Sequence, residues 1–80
     1  MITNKLEMVI FKSNEELALE IKSLRTRIGY NQDDMANYLQ ISKAAYVNKE
    51  NGRNEFTLLE AIKLCVLFNK KVEEFFLQTS

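Results

Sequence analysis

The chain has 80 residues, with 11 lysines and arginines balanced by 11 aspartates and glutamates, one cysteine, two glycines, and neither histidine nor proline. A chain this short makes one small domain that hides only about 60–65% of its unfolded surface, so its core is marginal and a partner subunit would add to it. A lone cysteine excludes an internal disulfide, the lack of histidine leaves a zinc site without its usual ligands, and no glycine-rich phosphate cradle is present, so no metal, no cofactor and no enzymatic activity are expected.

Helix formers dominate and no proline interrupts them, which points to an all-α fold with short connections. The N-terminal apolar run at residues 8–11 is far too short for a signal peptide or a membrane span, so a cytoplasmic protein with no membrane partner is expected.

Residues 1–12 read as an arm or extension. Leu6, Met8 and Ile10 alternate with Glu7, Val9 and Phe11, a period of two that suits a short strand or extended arm, with a single helical turn as the alternative. Such an arm either covers part of the core or pairs with its copy across a dimer axis, because an open strand edge invites pairing. The domain itself is expected over residues 13–80. Ser13 caps a first helix with Glu16 at capping-box spacing, Leu17, Ile21, Leu24 and Ile28 form one apolar stripe, and Gly29 ends it.

Asn31 caps a second helix, about residues 32–39, with Asp34 placed to reach back to the cap and Asp33 and Asp34 at the positive end of the helix dipole. Met35, Ala36 and Leu39 share a face, and Ala36 is small enough to let another helix approach closely. The pattern breaks at Gln40, Ser42 caps a third helix over about residues 43–51, and Asn51-Gly52 supplies residue types that tolerate a left-handed backbone at its end. Two short helices joined by so tight a turn read as a helix-turn-helix. Thr57, with Glu60 at box spacing, opens a fourth helix whose expected buried stripe is Leu58, Ala61, Ile62, Cys65 and Phe68, with Cys65 as plain core and Asn69 as a left-handed end. Val72, Phe75 and Phe76 make a last short helix, too thin for both phenylalanines to enter one core, which leaves one for a partner.

Gln32 opening a helix, Ala36 four residues on, Ile41-Ser42 at the turn, Tyr46, and then Glu50-Asn51-Gly52 resemble the helix-turn-helix of the lambda repressor/Cro (XRE-like) family of phage-type transcriptional regulators. The likeness runs over residues 21–76: residues 21–25 and Ile28-Gly29-Tyr30 are similar to the family's first helix and following loop, and residues 64–68 and 72–76 to its last two helices. It implies a compact five-helix, lambda repressor-like DNA-binding domain with a short N-terminal extension. Some positions depart from the family pattern. Gln40 stands where glycine is usual, which costs about 1 kcal/mol if the backbone there is left-handed. Lys49 replaces an aliphatic residue, so its stem should lie along apolar surface with the ammonium in water. Lys70 and Lys71 replace a valine and a capping serine, which leaves the start of the fifth helix open.

Zero net charge argues against nucleic acid, since phosphate binding draws on an excess of cations. The distribution is more favourable: from Lys22 to Arg53 there are six basic residues (Lys22, Arg25, Arg27, Lys43, Lys49, Arg53) and three acidic ones, an excess of three that the rest of the chain cancels. With Tyr46 turned inward, helical spacing sets Lys43, Ala44, Val47 and Asn48 on or near the opposite face, where a major groove would lie; the alternative is an ordinary solvated helix face. The resemblance places base contacts at Lys43, Ala44 and Asn48, with Val47 close by: Lys43 suits guanine, Asn48 adenine, and Ala44 or Val47 a thymine methyl. It assigns phosphate contacts to Gln32, Asn51 and Arg53, with backbone amides at the N-terminus of the second helix adding to Gln32 and Arg27 as a weaker candidate. Gln32 can also be read as an ordinary exposed first-turn residue. Arg25 can be read as a phosphate contact or as an ion-pair partner, and the resemblance implies the second, an Arg25–Glu50 bridge inside the domain.

Three functions are consistent with this reading. The leading one is a sequence-specific regulator, a repressor of the phage or mobile-element type, that binds a double-stranded DNA operator as a homodimer. The others are the antitoxin of a toxin-antitoxin pair, with a toxin as protein partner, and a protein-interaction adaptor that keeps the fold without binding DNA.

Overall fold

A computed structural model describes residues 9–11 and 13–79. In chain order these form β1 (Val9–Phe11), α1 (Asn14–Arg27), α2 (Gln32–Leu39), α3 (Lys43–Glu50), α4 (Leu58–Phe68), α5 (Val72–Phe76) and β2 (Leu77–Thr79). The fold is all-α in its core, five helices with a two-stranded ribbon beside them. In that ribbon β1 runs antiparallel to β2, with Val9 opposite Thr79, Ile10 opposite Gln78 and Phe11 opposite Leu77. The strand-like alternation around residues 9–11 thus finds a partner in the chain's own C-terminal end, a three-residue strand too short to carry a readable period of its own. The remainder of the expected arm, residues 1–8 and 12, lies outside the described residues, as does the side chain of Phe76.

Each helix starts where a side chain can take up its first amides. Ser13, Asn31 and Thr57 complete reciprocal capping boxes with Glu16, Asp34 and Glu60, while the Ser42 hydroxyl accepts the amide of Ala45. The fifth helix starts at Val72, and just before it the Lys71 amide donates to Glu74 at 2.9 Å. The helix ends are equally uniform. Gly29, Gln40, Gly52 and Asn69 all have φ between 54° and 83°, and in each case the next residue's amide returns to a carbonyl five positions back: Tyr30 to Arg25, Ile41 to Ala36, Arg53 to Asn48 and Lys70 to Cys65. At Gln40 the left-handed backbone costs about 1 kcal/mol relative to glycine, and it makes the sharp turn between α2 and α3.

The core is one cluster. Leu17, Ile21 and Leu24 of α1 meet Met35, Ala36 and Leu39 of α2, Tyr46 of α3, Leu64 and Cys65 of α4, and Phe75 of α5. Phe56, in the loop before α4, lies against the Tyr46 ring with centroids 6.3 Å apart, and Phe68 meets Phe75 edge-on. The Tyr38 hydroxyl donates to the Lys63 carbonyl at 2.6 Å, which ties α2 to α4.

Two expected stripes are corrected. Ile28 is exposed, because α1 ends at Arg27 and Ile28 is already at its C-cap, where Gly29 turns the chain away. On α4 the buried face is Glu60, Ala61, Leu64 and Cys65 with Phe68 partly covered, whereas Leu58 and Ile62 point to solvent. The physical reason is that α4 is apolar nearly all round, so periodicity alone does not select its inward face. Burying the Glu60 carboxylate carries Leu64 and Phe68, one and two turns on, into the core and turns Leu58, Leu59, Ile62 and Val66 outward.

This orientation gives a direct test. Leu64→Ala should destabilise dilute protein by about 2–5 kcal/mol in urea denaturation, whereas Leu58→Ala, at a site 78% exposed, should change stability by less than about 0.5 kcal/mol. Equal losses would mean that α4 is rotated from this orientation.

Candidate nucleic-acid interface

Tyr46 is fully buried and sets the inward side of α3, with Glu50 a turn further on and also buried. Helical spacing then sets Ala44 and Asn48 opposite Tyr46 with Val47 to one side of them, while Lys43, three residues before Tyr46 and seven before Glu50, lies on the Glu50 flank at the first turn of the helix. Lys43 and Ala44 are exposed, and Val47 and Asn48 are half-buried along the flank of the helix. The Lys43 ammonium lies 3.4 Å from the Asp33 carboxylate at the start of α2, both largely in solvent, so this pair is weak and open to exchange. Asn48 accepts a long contact of 3.5 Å from the Arg53 guanidinium, at the limit of a hydrogen bond.

The inward side is held by one carboxylate. Arg25 donates to Glu50 in a two-pronged pair, Nε to Oε2 at 2.7 Å and Nη2 to Oε1 at 3.2 Å, and its Nη1 donates to the Tyr30 carbonyl at 2.8 Å. The Tyr46 hydroxyl donates to Oε2 at 2.5 Å and Gln32 Nε2 to Oε1 at 3.1 Å. Side-chain exposure is 13% for Arg25 and 1% for Glu50, so the guanidinium is spent inside the domain rather than presented to a phosphate. Burial pushes the Glu50 carboxyl up, but hydrogen bonds from Arg25, Tyr46 and Gln32 outweigh it and hold the group below the usual carboxylate range. The hydrogen bond to Glu50 raises Arg25 further, while burial and then the same carboxylate push the Tyr46 hydroxyl well above its ordinary value.

The expected phosphate donors are distributed less evenly. Asn51 and Arg53 are exposed just beyond α3, in a loop fastened to α1 by the Asn14 amide, which donates to the Gly52 carbonyl at 2.8 Å. Gln32 is half-buried and turned toward Glu50 rather than outward. At the N-terminus of α2 the capping box already uses the amides of Asn31 and Asp34. Lys22 and Asn51 line a common shallow hollow with Glu15, Ala18, Leu19 and Glu50, which adds Lys22 to the cations beside the loop. Arg27 is exposed on the last turn of α1.

Sequence reasoning missed one tie. The Lys49 ammonium, expected to end in water, meets the Glu60 carboxylate at 2.6 Å, with side-chain exposures of 14% and 9%. Its spacing from Thr57 marks Glu60 only as a capping residue. Burial raises its carboxyl, and the hydrogen bonds from Lys49 and the Thr57 amide more than offset this and leave it depressed. The signal was a lysine at an inward position next to Tyr46, which demanded a carboxylate nearby. Burial raises the thiol of Cys65, consistent with its place in the core. Among the described residues no group of three or more cysteine, aspartate and glutamate side chains is placed to hold a metal ion, and no helix is long and apolar enough to cross a membrane.

Two short helices set across a tight turn, the second offering an outward face beside exposed donors, define a helix-turn-helix domain. The comparisons agree: the helix-turn-helix family model matches residues 21–75, more than half of the chain. The chain is 32% identical over 57 residues to YgzD, an uncharacterized HTH-type transcriptional regulator of Bacillus subtilis (strain 168), covering 71% of this chain and 86% of that protein. Its fold is similar to the restriction-modification controller protein C.AhdI from Aeromonas hydrophila, with a TM-score of 0.68 and 21% identity over 79% of this chain and 96% of that one. It is similar also to the clp gene regulator ClgR from C. glutamicum, with a TM-score of 0.66 and 21% identity over 78% of this chain and 80% of that one. The protein therefore belongs to the Cro/C1-type helix-turn-helix family of DNA-binding regulators, a class that binds and does not catalyse.

Arg25→Ala should cost about 3–5 kcal/mol of stability, because it strands a buried carboxylate, and an unchanged urea midpoint would show that the bridge is not needed. Acid should weaken the fold through Glu50 and Glu60. Both are depressed in the folded state, so the unfolded chain binds more protons as pH falls and stability drops with it. The loss should begin as pH approaches about 4.3, the ordinary glutamate value, and be complete below the lower folded-state values. Thermal melts across this range should show a shallower dependence for Glu60→Gln than for the unaltered protein.

Proposed function

We propose that this chain is a sequence-specific transcriptional regulator, a repressor of the phage or mobile-element type, that lays α3 in the major groove of a double-stranded operator. Lys43, Ala44, Val47 and Asn48 read base edges, Asn51 and Arg53 hold phosphates, and Gln32, whose amide donates to Glu50, braces the start of α2 beside them. The observation that carries this reading is the polarity of α3. Tyr46, Lys49 and Glu50 anchor its inner side through the core and two ion pairs, while Ala44 and Asn48 lie opposite that anchor, Val47 lies beside them and Lys43 is exposed at the first turn. A helix so fixed presents a rigid reading surface, the arrangement that helix-turn-helix docking requires.

The protein binds as a homodimer on a pseudo-palindrome. Leu58, Leu59, Ile62 and Val66 form an exposed apolar strip along α4, and Leu58 and Ile62 border an apolar hollow of about 300 Å³ with Phe56, Thr57, Ala61 and Val72. Such a strip, on a domain with so small a core, supports an isologous contact with a second copy.

Binding to a duplex selected by the protein from a random pool, compared with random duplex of equal length, tests the reading. Asn48→Ala should cost about 1–3 kcal/mol on the selected duplex and relax preference at one base. Arg53→Ala should weaken both duplexes alike and lower the salt slope by about one. Sedimentation should show dimers that Ile62→Asp dissociates. Equal, weak binding to both duplexes would sink the regulator in favour of an antitoxin or adaptor.

A further inference from the structure

We propose that Lys49 and Glu60 are a positioning pair for DNA reading: their buried ion pair sets the rotation of α3 about its own axis, and hence where its outer face meets the base edges. The proposal rests on the reading face described above. Around α3, Glu50 and Lys49 lie on opposite flanks of Tyr46, four and three residues further on. Glu50 is tied to α1 and α2 through Arg25 and Gln32, and Lys49 is tied to α4 through Glu60 at 2.6 Å. A helix held along one flank can roll about that tie; one held on both flanks cannot.

The α4 end of the tie is itself fixed. Glu60 Oε1 accepts the Thr57 amide at 2.9 Å while the Glu60 amide donates to the Thr57 hydroxyl at 3.1 Å, so the carboxylate cannot follow a moving lysine without breaking the cap of its own helix. The consequence for reading is geometric. Side chains stand about 5–6 Å from a helix axis, so a roll of about 20° displaces their ends by about 2 Å. Base-edge hydrogen bonds do not survive such a shift. Apolar packing alone would resist a roll less sharply, because it has no preferred direction. The pair also lies on the flank away from Lys43 and Val47, and its ammonium is already engaged, so Lys49 acts through α3 and not by touching phosphate.

The experiment separates position from stability. The double variant Lys49→Met with Glu60→Gln removes both charges, keeps the lysine stem's bulk and leaves an oxygen for the Thr57 amide. With the unaltered protein and Asn48→Ala alongside, affinity would be measured for the selected and random duplexes across a salt series, together with the urea midpoint. The expected result is a folded double variant whose selectivity falls about tenfold with an unchanged salt slope. Glu60→Asp, which keeps the charge but draws it back by one methylene, should lower selectivity by a smaller factor and serves if the double variant does not fold. Undiminished selectivity in these variants, where Asn48→Ala lowers it, overturns the pair and leaves the reading face standing. A salt slope reduced by about one, with both duplexes weakened equally, makes Lys49 a phosphate contact and also overturns it. If Asn48→Ala changes nothing, the reading face itself fails and the positioning role falls with it.

Discussion

The Glu50 carboxylate is the point on which the helix-turn-helix closes. It sits almost wholly out of water and receives four hydrogen bonds, two from Arg25 and one each from Tyr46 and Gln32, so both oxygens are doubly satisfied. A buried carboxylate without those donors would be expensive, and with them it is weakly stabilising at best, since desolvation consumes most of the Coulombic gain. Its value lies in specification. The donors come from α1, from the start of α2 and from α3 itself, and Arg25 reaches on to the Tyr30 carbonyl in the loop between α1 and α2. Only one relative placement of these three helices satisfies every group at once.

That constraint explains the division of labour along α3. Residues that anchor and residues that face outward alternate within eight positions, so each anchoring side chain limits the freedom of an outward one next to it. Arg25 and Lys49 are cations that the fold consumes, whereas Arg53 and Lys43 remain at the surface. The zero net charge of the chain is therefore compatible with nucleic-acid binding in a specific way: two cations of the basic segment are neutralised internally by Glu50 and Glu60, and acidic surface elsewhere balances those left outside.

The fourth helix serves two sides. Its inner face supplies Leu64 and Cys65 to the core and Glu60 to Lys49, and its outer face leaves an apolar strip that so small a domain does not cover by itself. Under the proposed reading, the strip that joins two copies and the carboxylate that steadies α3 belong to the same three turns of helix. Partner contact and groove contact are thereby placed on a common rigid element.

The amino-acid sequence by itself determined where helices begin and end, because caps and left-handed ends are local chemistry: Ser13, Asn31, Ser42 and Thr57 accept their own chain's amides within three residues, and Gly29, Gln40, Gly52 and Asn69 turn it within one. Local spacing also showed that α3 has an inner and an outer side, since Tyr46 marks the first. Tertiary structure decided what depends on groups far apart in the chain. The inward face of α4 was not legible because leucines, isoleucine and valine surround it, and a buried Glu60 chose the face only once Lys49 was beside it. The resemblance assigns Gln32 a phosphate, and nothing local reveals that a carboxylate 18 residues later accepts from its amide. The pairing of Val9–Phe11 with Leu77–Thr79 joins segments at opposite ends of the chain, where no periodicity in either could name its partner. Contacts within a turn follow from residue type; contacts between turns wait for the fold that brings them together.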